Sequence, residues 1–101
     1  MGQFVKVATQ QEIPADSGKV CEVGDKSIAL FAIEGQVYAI NNMCKHRGGP
    51  LGEGPLDGSQ VTCPWHGWLY DVKTGECLNN SDICQEKYSV KVEGDDILVE
   101  I

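Results

Sequence analysis

The chain has 101 residues, 42% of them hydrophobic and 23% charged, which allows one globular domain with a modest core and excludes a disordered polymer. Its formal net charge of −7 argues against nucleic acid or an anionic membrane surface as partner, since either would need a basic patch. No apolar run reaches the roughly 18 residues that cross a bilayer, and the N-terminal residues lack a signal-peptide pattern, so the five cysteines are expected to be cytoplasmic thiols rather than a disulfide framework.

In chain order, Phe4 to Val7 reads as a first strand and Val20 to Val23 as a second. Gly24-Asp25 then turns the chain into Ile28 to Ile33, a run apolar on both faces, as expected of a central strand covered on two sides. Glu34-Gly35-Gln36 makes a tight connection to Val37 to Ile40. After Asn41-Asn42 the composition shifts: residues 43 to 68 hold six glycines and a single short hairpin signal, Asp57-Gly58. Strand chemistry returns at Leu69 to Val72, followed by the turn Lys73-Thr74-Gly75. Tyr88, Val90 and Val92 alternate with Ser89, Lys91 and Glu93, the period of a half-exposed strand, and Gly94-Asp95-Asp96 leads into Ile97 to Ile101. No segment has the periodicity of a useful amphipathic helix. The pattern predicts a β core built from both ends of the chain, with a loop-rich region inserted between them.

That region carries the chemistry. Cys44-Lys45-His46 is followed, after sixteen residues, by Cys63-Pro64-Trp65-His66. Each short loop offers one thiolate and one imidazole, which suits either a single tetrahedral ion or a binuclear cluster with one Cys₂ iron and one His₂ iron. Zinc modules usually pair ligands of one type, as Cys-x2–4-Cys and His-x3–5-His. Mixed pairs suit a cluster lying between two loops, with Cys44 and Cys63 on the inner iron and His46 and His66 on the outer one. The chain has only two histidines, and a metal centre of either kind claims both. None remains for a Ser-His-Asp triad, a Cys-His pair or a mononuclear two-His iron site, so the chain is not expected to be an enzyme.

The segment Asn41-Asn42-Met43-Cys44-Lys45-His46-Arg47-Gly48-Gly49, together with Cys63-Pro64-Trp65-His66-Gly67-Trp68-Leu69-Tyr70-Asp71, resembles the Rieske ferredoxins. The specific match covers roughly residues 37 to 75. The resemblance implies an all-β fold: an antiparallel β-sandwich core with a cluster-binding subdomain inserted at approximately residues 43–70, within one domain spanning 1–101. It implies one Rieske-type [2Fe–2S] cluster held by Cys44, His46, Cys63 and His66. The implied role is a soluble one-electron carrier, monomeric when free. It would take electrons from an NAD(P)H-dependent flavoprotein reductase and pass them to a terminal oxygenase such as an aromatic-ring dioxygenase. An alternative is the small Rieske subunit of an assimilatory nitrite reductase, in a stable complex with its large subunit. From other classes come a structural zinc domain and a cysteine-dependent redox sensor.

Departures from respiratory Rieske proteins are informative. The resemblance puts Gly49 and Trp65 where those proteins carry two bridged cysteines, and Trp68 where they place a serine near a cluster sulfide; Tyr70 matches a tyrosine that donates to a ligand sulfur. Fewer donors to sulfur stabilise the reduced cluster less, so a potential in the lower part of the Rieske range of roughly −150 to +300 mV is expected. Reduction adds one negative charge on the histidine side, which should raise the imidazole pKa values and make that edge the electron port. Gly48, Gly49, Gly52 and Gly67 are candidates for bringing backbone N–H groups to the sulfides, and Pro64 for stiffening the second loop.

The remaining features have simpler expectations. Cys21 and Cys77 read as small buried hydrophobes in strands, and Cys84 as an unactivated thiol in a polar loop. Trp65 and Trp68 serve either the core or, for Trp65, the shielding of the cluster and partner contact. Lys45 and Arg47 bracket His46, while Glu93, Asp95, Asp96 and Glu100 crowd the C-terminal end. That asymmetry suggests salt-sensitive steering of a basic partner.

Overall fold

Ten strands form three small antiparallel sheets in the computed structural model, which describes residues 3–13, 18–43, 49–65, 67–80 and 82–100. The strands are β1 (Phe4–Thr9), β2 (Lys19–Val23), β3 (Lys26–Ile33), β4 (Gln36–Asn41), β5 (Leu56–Asp57), β6 (Gln60–Thr62), β7 (Leu69–Asp71), β8 (Lys87–Tyr88), β9 (Val90–Glu93) and β10 (Asp96–Glu100). Two short 3₁₀ turns, Gln10–Glu12 and Leu51–Glu53, are the only helical segments among the described residues. No helix among them is long and apolar enough to cross a membrane.

The sheet orders are β1-β10-β9, β2-β3-β4-β8 and β5-β6-β7. Both chain ends meet where β1 pairs antiparallel with β10, Val5 opposite Val99. Strand β3 is central, as its sequence requires. Ile28 and Leu30 face a core shared with Ala8, Cys21, Ala39, Ile97 and Val99. Ala29, Phe31 and Ile33 face a second core with Ile40, Leu51, Val61, Cys63, Tyr70, Val72 and Cys77. The all-β sandwich with an inserted loop region is therefore the observed architecture. The connection from β3 to β4 is as tight as expected, with Glu34 (φ 52°) and Gly35 (φ 81°) both left-handed, the geometry of a type I′ hairpin turn.

One expectation needs correcting. The alternating segment around Tyr88 is not one half-buried strand. Tyr88 pairs with Ala39 in the β2-β3-β4-β8 sheet, whereas Val90 pairs with Val99 in the other sheet. The chain changes sheets at Ser89, so the alternation does not bury one continuous face, and Val92 on edge strand β9 is 43% exposed.

Candidate metal centre

Strand β4 ends at Asn41, and the loop that follows is gripped at its base. Met43 and Pro50 form an isolated antiparallel bridge, so the two limbs run side by side. Asn42 does most of the holding. Its backbone N–H donates to the Ser27 carbonyl (2.9 Å) and its side-chain amide to Ser27 Oγ (3.1 Å). On the returning limb its carbonyl accepts from Leu51 N–H (2.7 Å) and its Oδ1 from Gly52 N–H (2.7 Å). Asn42 is buried, and each of these bonds offsets a desolvation cost of about 1–3 kcal/mol. Gly52 is required there: a Cβ would stand 2.6 Å from Val20 Cγ2. Cys44, His46 and Gly48 lie on the intervening stretch, outside the described residues, as do Lys45 and Arg47.

Strand β6 delivers the second loop. Cys63 N–H donates to the Trp68 carbonyl (2.8 Å), and Gly67 N–H donates back to the Cys63 carbonyl (3.0 Å), closing a tight turn. Gly67 adopts φ +79°, which a side chain would strain. Cys63 is 1% exposed and sits in the second core beside Tyr70, with Trp68 packed against it. A Cβ built on Gly49 would come within 2.6 Å of Cys63 Sγ and within 3.1 Å of Trp65 Cγ. The bare α-carbon of Gly49 thus lies directly against the sulfur, with the indole over it. Trp65 is nevertheless 64% exposed. His66 lies outside the described residues.

Of the four predicted ligands, then, Cys63 is described, and it lies where the two loops touch. The positions expected to replace an inter-loop disulfide, Gly49 and Trp65, are neighbours. Two glycine expectations fail. The Gly52 N–H is taken by Asn42 and the Gly67 N–H by Cys63, so neither is directed at a sulfide. Trp68, partly buried, packs against the second core, whereas Trp65 is presented to solvent. Cys21, Cys77 and Cys84 are thiols, the first two buried and the third exposed, and burial pushes the Cys21 thiol up from its ordinary value. Cys77 lies on an isolated bridge to Tyr70 rather than within a strand.

A residue without a sequence signal completes the surroundings. Gln85, 1% exposed, reaches from the segment after β7 and donates from Nε2 to the carbonyls of Asn41 (2.7 Å) and Met43. A glutamine among polar loop residues shows no periodicity or spacing that would have singled it out.

The surroundings of Cys63 suit a metal–sulfur centre: a buried soft donor, and a glycine cradle that a Cβ would fill. Comparison with known proteins decides the family. The model of the Rieske [2Fe–2S] domain matches residues 3–90. The chain belongs to the Rieske [2Fe–2S] family. This Rieske protein is 31% identical, over 98% of its length and 96% of the relative's, to the ferredoxin component of the naphthalene 1,2-dioxygenase system of Pseudomonas aeruginosa. It is 28% identical, with a TM-score of 0.83 over 94% of its length and 99% of the other chain, to a chain in a solved complex of reduced oxygenase and oxidized ferredoxin of carbazole 1,9a-dioxygenase. A Mycobacterium tuberculosis chain described as a nitrite reductase small subunit superposes with a TM-score of 0.89 over 100% of this chain and 96% of that one, but at 18% identity it shares the fold alone. The cofactor of this Rieske protein is accordingly a [2Fe–2S] cluster rather than zinc, and its work is electron transfer, not catalysis.

Proposed function

We propose that the chain is the ferredoxin component of an oxygenase system, with Cys44 and Cys63 binding one iron and His46 and His66 the other. When bound, the cluster supplies reversible one-electron storage. The contact of Gly49 with Cys63 Sγ and Trp65 is the observation that carries this reading, because it brings the two ligand-bearing loops together over a buried sulfur. In this arrangement Cys63 provides a donor sheltered from water and the Gly49 backbone closes one side of the site. The exposed Trp65 ring offers a partner an apolar surface beside the predicted electron port. The reading treats residues 1–101 as one domain with its cluster-binding subdomain at approximately 43–70, supported from outside by Val72, Cys77 and Ile83.

The donor in this scheme is an NAD(P)H-dependent flavoprotein reductase and the acceptor a terminal oxygenase, with the ferredoxin a diffusing cytoplasmic monomer between them. Likeness at 31% to a dioxygenase ferredoxin favours this over a nitrite reductase subunit. Stopped-flow mixing of the reduced protein with a terminal oxygenase tests the proposal. Stoichiometric reoxidation, slowed by salt and by Trp65→Ala, is expected. Elution of the native protein only in a stable complex with a sirohaem subunit would contradict it.

A further inference from the structure

We infer that Gln85 is a positioning residue for the first cluster ligand, aiming the Met43–Cys44 peptide from a segment distant in sequence; this rests on the assignment of Cys44 made above. Strands β4 and β8 pair through Ala39 with Tyr88 and Ile40 with Lys87, and one further rung follows, from Asn41 N–H to the Glu86 carbonyl (2.8 Å). The backbone ladder stops there. Beyond it the Gln85 carboxamide takes over, donating to the carbonyls of Asn41 and Met43 across sequence separations of 44 and 42 residues. The Gln85 backbone from which the carboxamide extends is itself held. Gln85 N–H donates to the Gly75 carbonyl (2.6 Å), and Gly75, at φ +83°, packs so tightly that a Cβ on it would strike the Gln85 carbonyl.

The second of these carbonyls matters most. It belongs to the peptide bond that joins Met43 to Cys44, and a peptide is planar, so holding its oxygen fixes the plane from which Cys44 departs. Met43 N–H donates to Asn41 Oδ1 (2.9 Å), so both polar groups of the Met43 backbone are held. Asn42 secures the same base from the β3 side, but its bonds reach Ser27, Leu51 and Gly52 and leave the Met43 carbonyl to Gln85. An apolar side chain of the same volume would fill the space and leave two part-buried carbonyls without these donors. Groups that orient metal ligands typically matter by about 10- to 100-fold in metal retention.

The test compares wild type, Gln85→Met and Ile97→Ala, each loaded with cluster. Ile97→Ala is a control that weakens the fold from the other core. For Gln85→Met we expect cluster loss to an iron chelator roughly tenfold faster or more. The g-values of the reduced protein and the midpoint potential should also be displaced, while both stay at wild-type values in Ile97→Ala. Unchanged g-values and potential in Gln85→Met, with loss no faster than its reduced fold stability explains, would make Gln85 merely structural and overturn the inference. If Gln85→Met holds no cluster, Gln85→Asn, one methylene shorter, takes its place, and a wild-type spectrum and potential there would likewise overturn it. A wild-type protein without a Rieske signal would overturn the reading of the site, and this inference with it. A normal wild-type signal with an unperturbed Gln85 variant would overturn the inference alone.

Discussion

Between β3 and the β1-β10-β9 sheet, long backbone ladders, shifted in register once between Lys6 and Ala8, and buried aliphatic side chains supply the order. Around Cys63 the strands are two or three residues long, and side-chain amides and glycine contacts do what ladders do elsewhere. The first region tolerates change in proportion to the apolar area lost. The second depends on individual atoms, because the chain around Cys63 is mostly turn. On the proposed assignment of Cys63 as a ligand, the difference separates the job of folding from the job of holding a redox centre.

The sharpest break in that comparison is Cys63→Ala, which should abolish the visible absorption and bound iron while far-UV dichroism still reports the β core. Ile97→Ala comes next. It should cost about 2–5 kcal/mol in denaturant unfolding and leave the midpoint potential of the folded protein where it was. Gly49→Ala should cost about 1–3 kcal/mol through overpacking against Cys63, read as lower cluster content and an altered reduced spectrum. Gly94→Ala, in the open β9–β10 turn at φ +64°, should cost about 1–2 kcal/mol and leave the spectrum unchanged. The smallest effect is at Glu12. Its carboxylate accepts from Thr9 N–H (2.8 Å), which holds its pKa below the ordinary 4.5. A lowered folded-state pKa adds stability above the unfolded value, and that contribution is lost as pH falls through the lowered one. Glu12→Gln should therefore remove a small part of the acid dependence of thermal stability below about pH 5, measured against wild type.

The β core was legible because strands announce themselves locally. The doubly apolar run at Ile28 to Ile33, the turn residues at Gly24, Gly35 and Gly94, and the apolar ends Phe4 and Ile97 each point to one arrangement. The change of sheet at Ser89 was not legible, since alternation is the same whether a segment stays in one sheet or crosses to another. At the site, the paired Cys and His spacings pointed to the family because metal chemistry restricts residue types, and the family found is the Rieske domain. The partners of Asn42 and Gln85 were not, because an amide's hydrogen bonds depend on what folding places beside it. Gly52 and Gly67 show the same limit: one glycine marks a close approach to Val20 and the other a left-handed turn, and the sequence does not say which is which.

Electron spin-echo spectroscopy of the reduced protein, carrying ¹⁵N only in histidine, probes the centre most directly, since the chain has just two histidines. Two inequivalent ¹⁵N couplings to one spin system should appear, from His46 and His66 on the same iron. A reduced cluster with no histidine coupling, or with coupling from one ring only, would contradict the account.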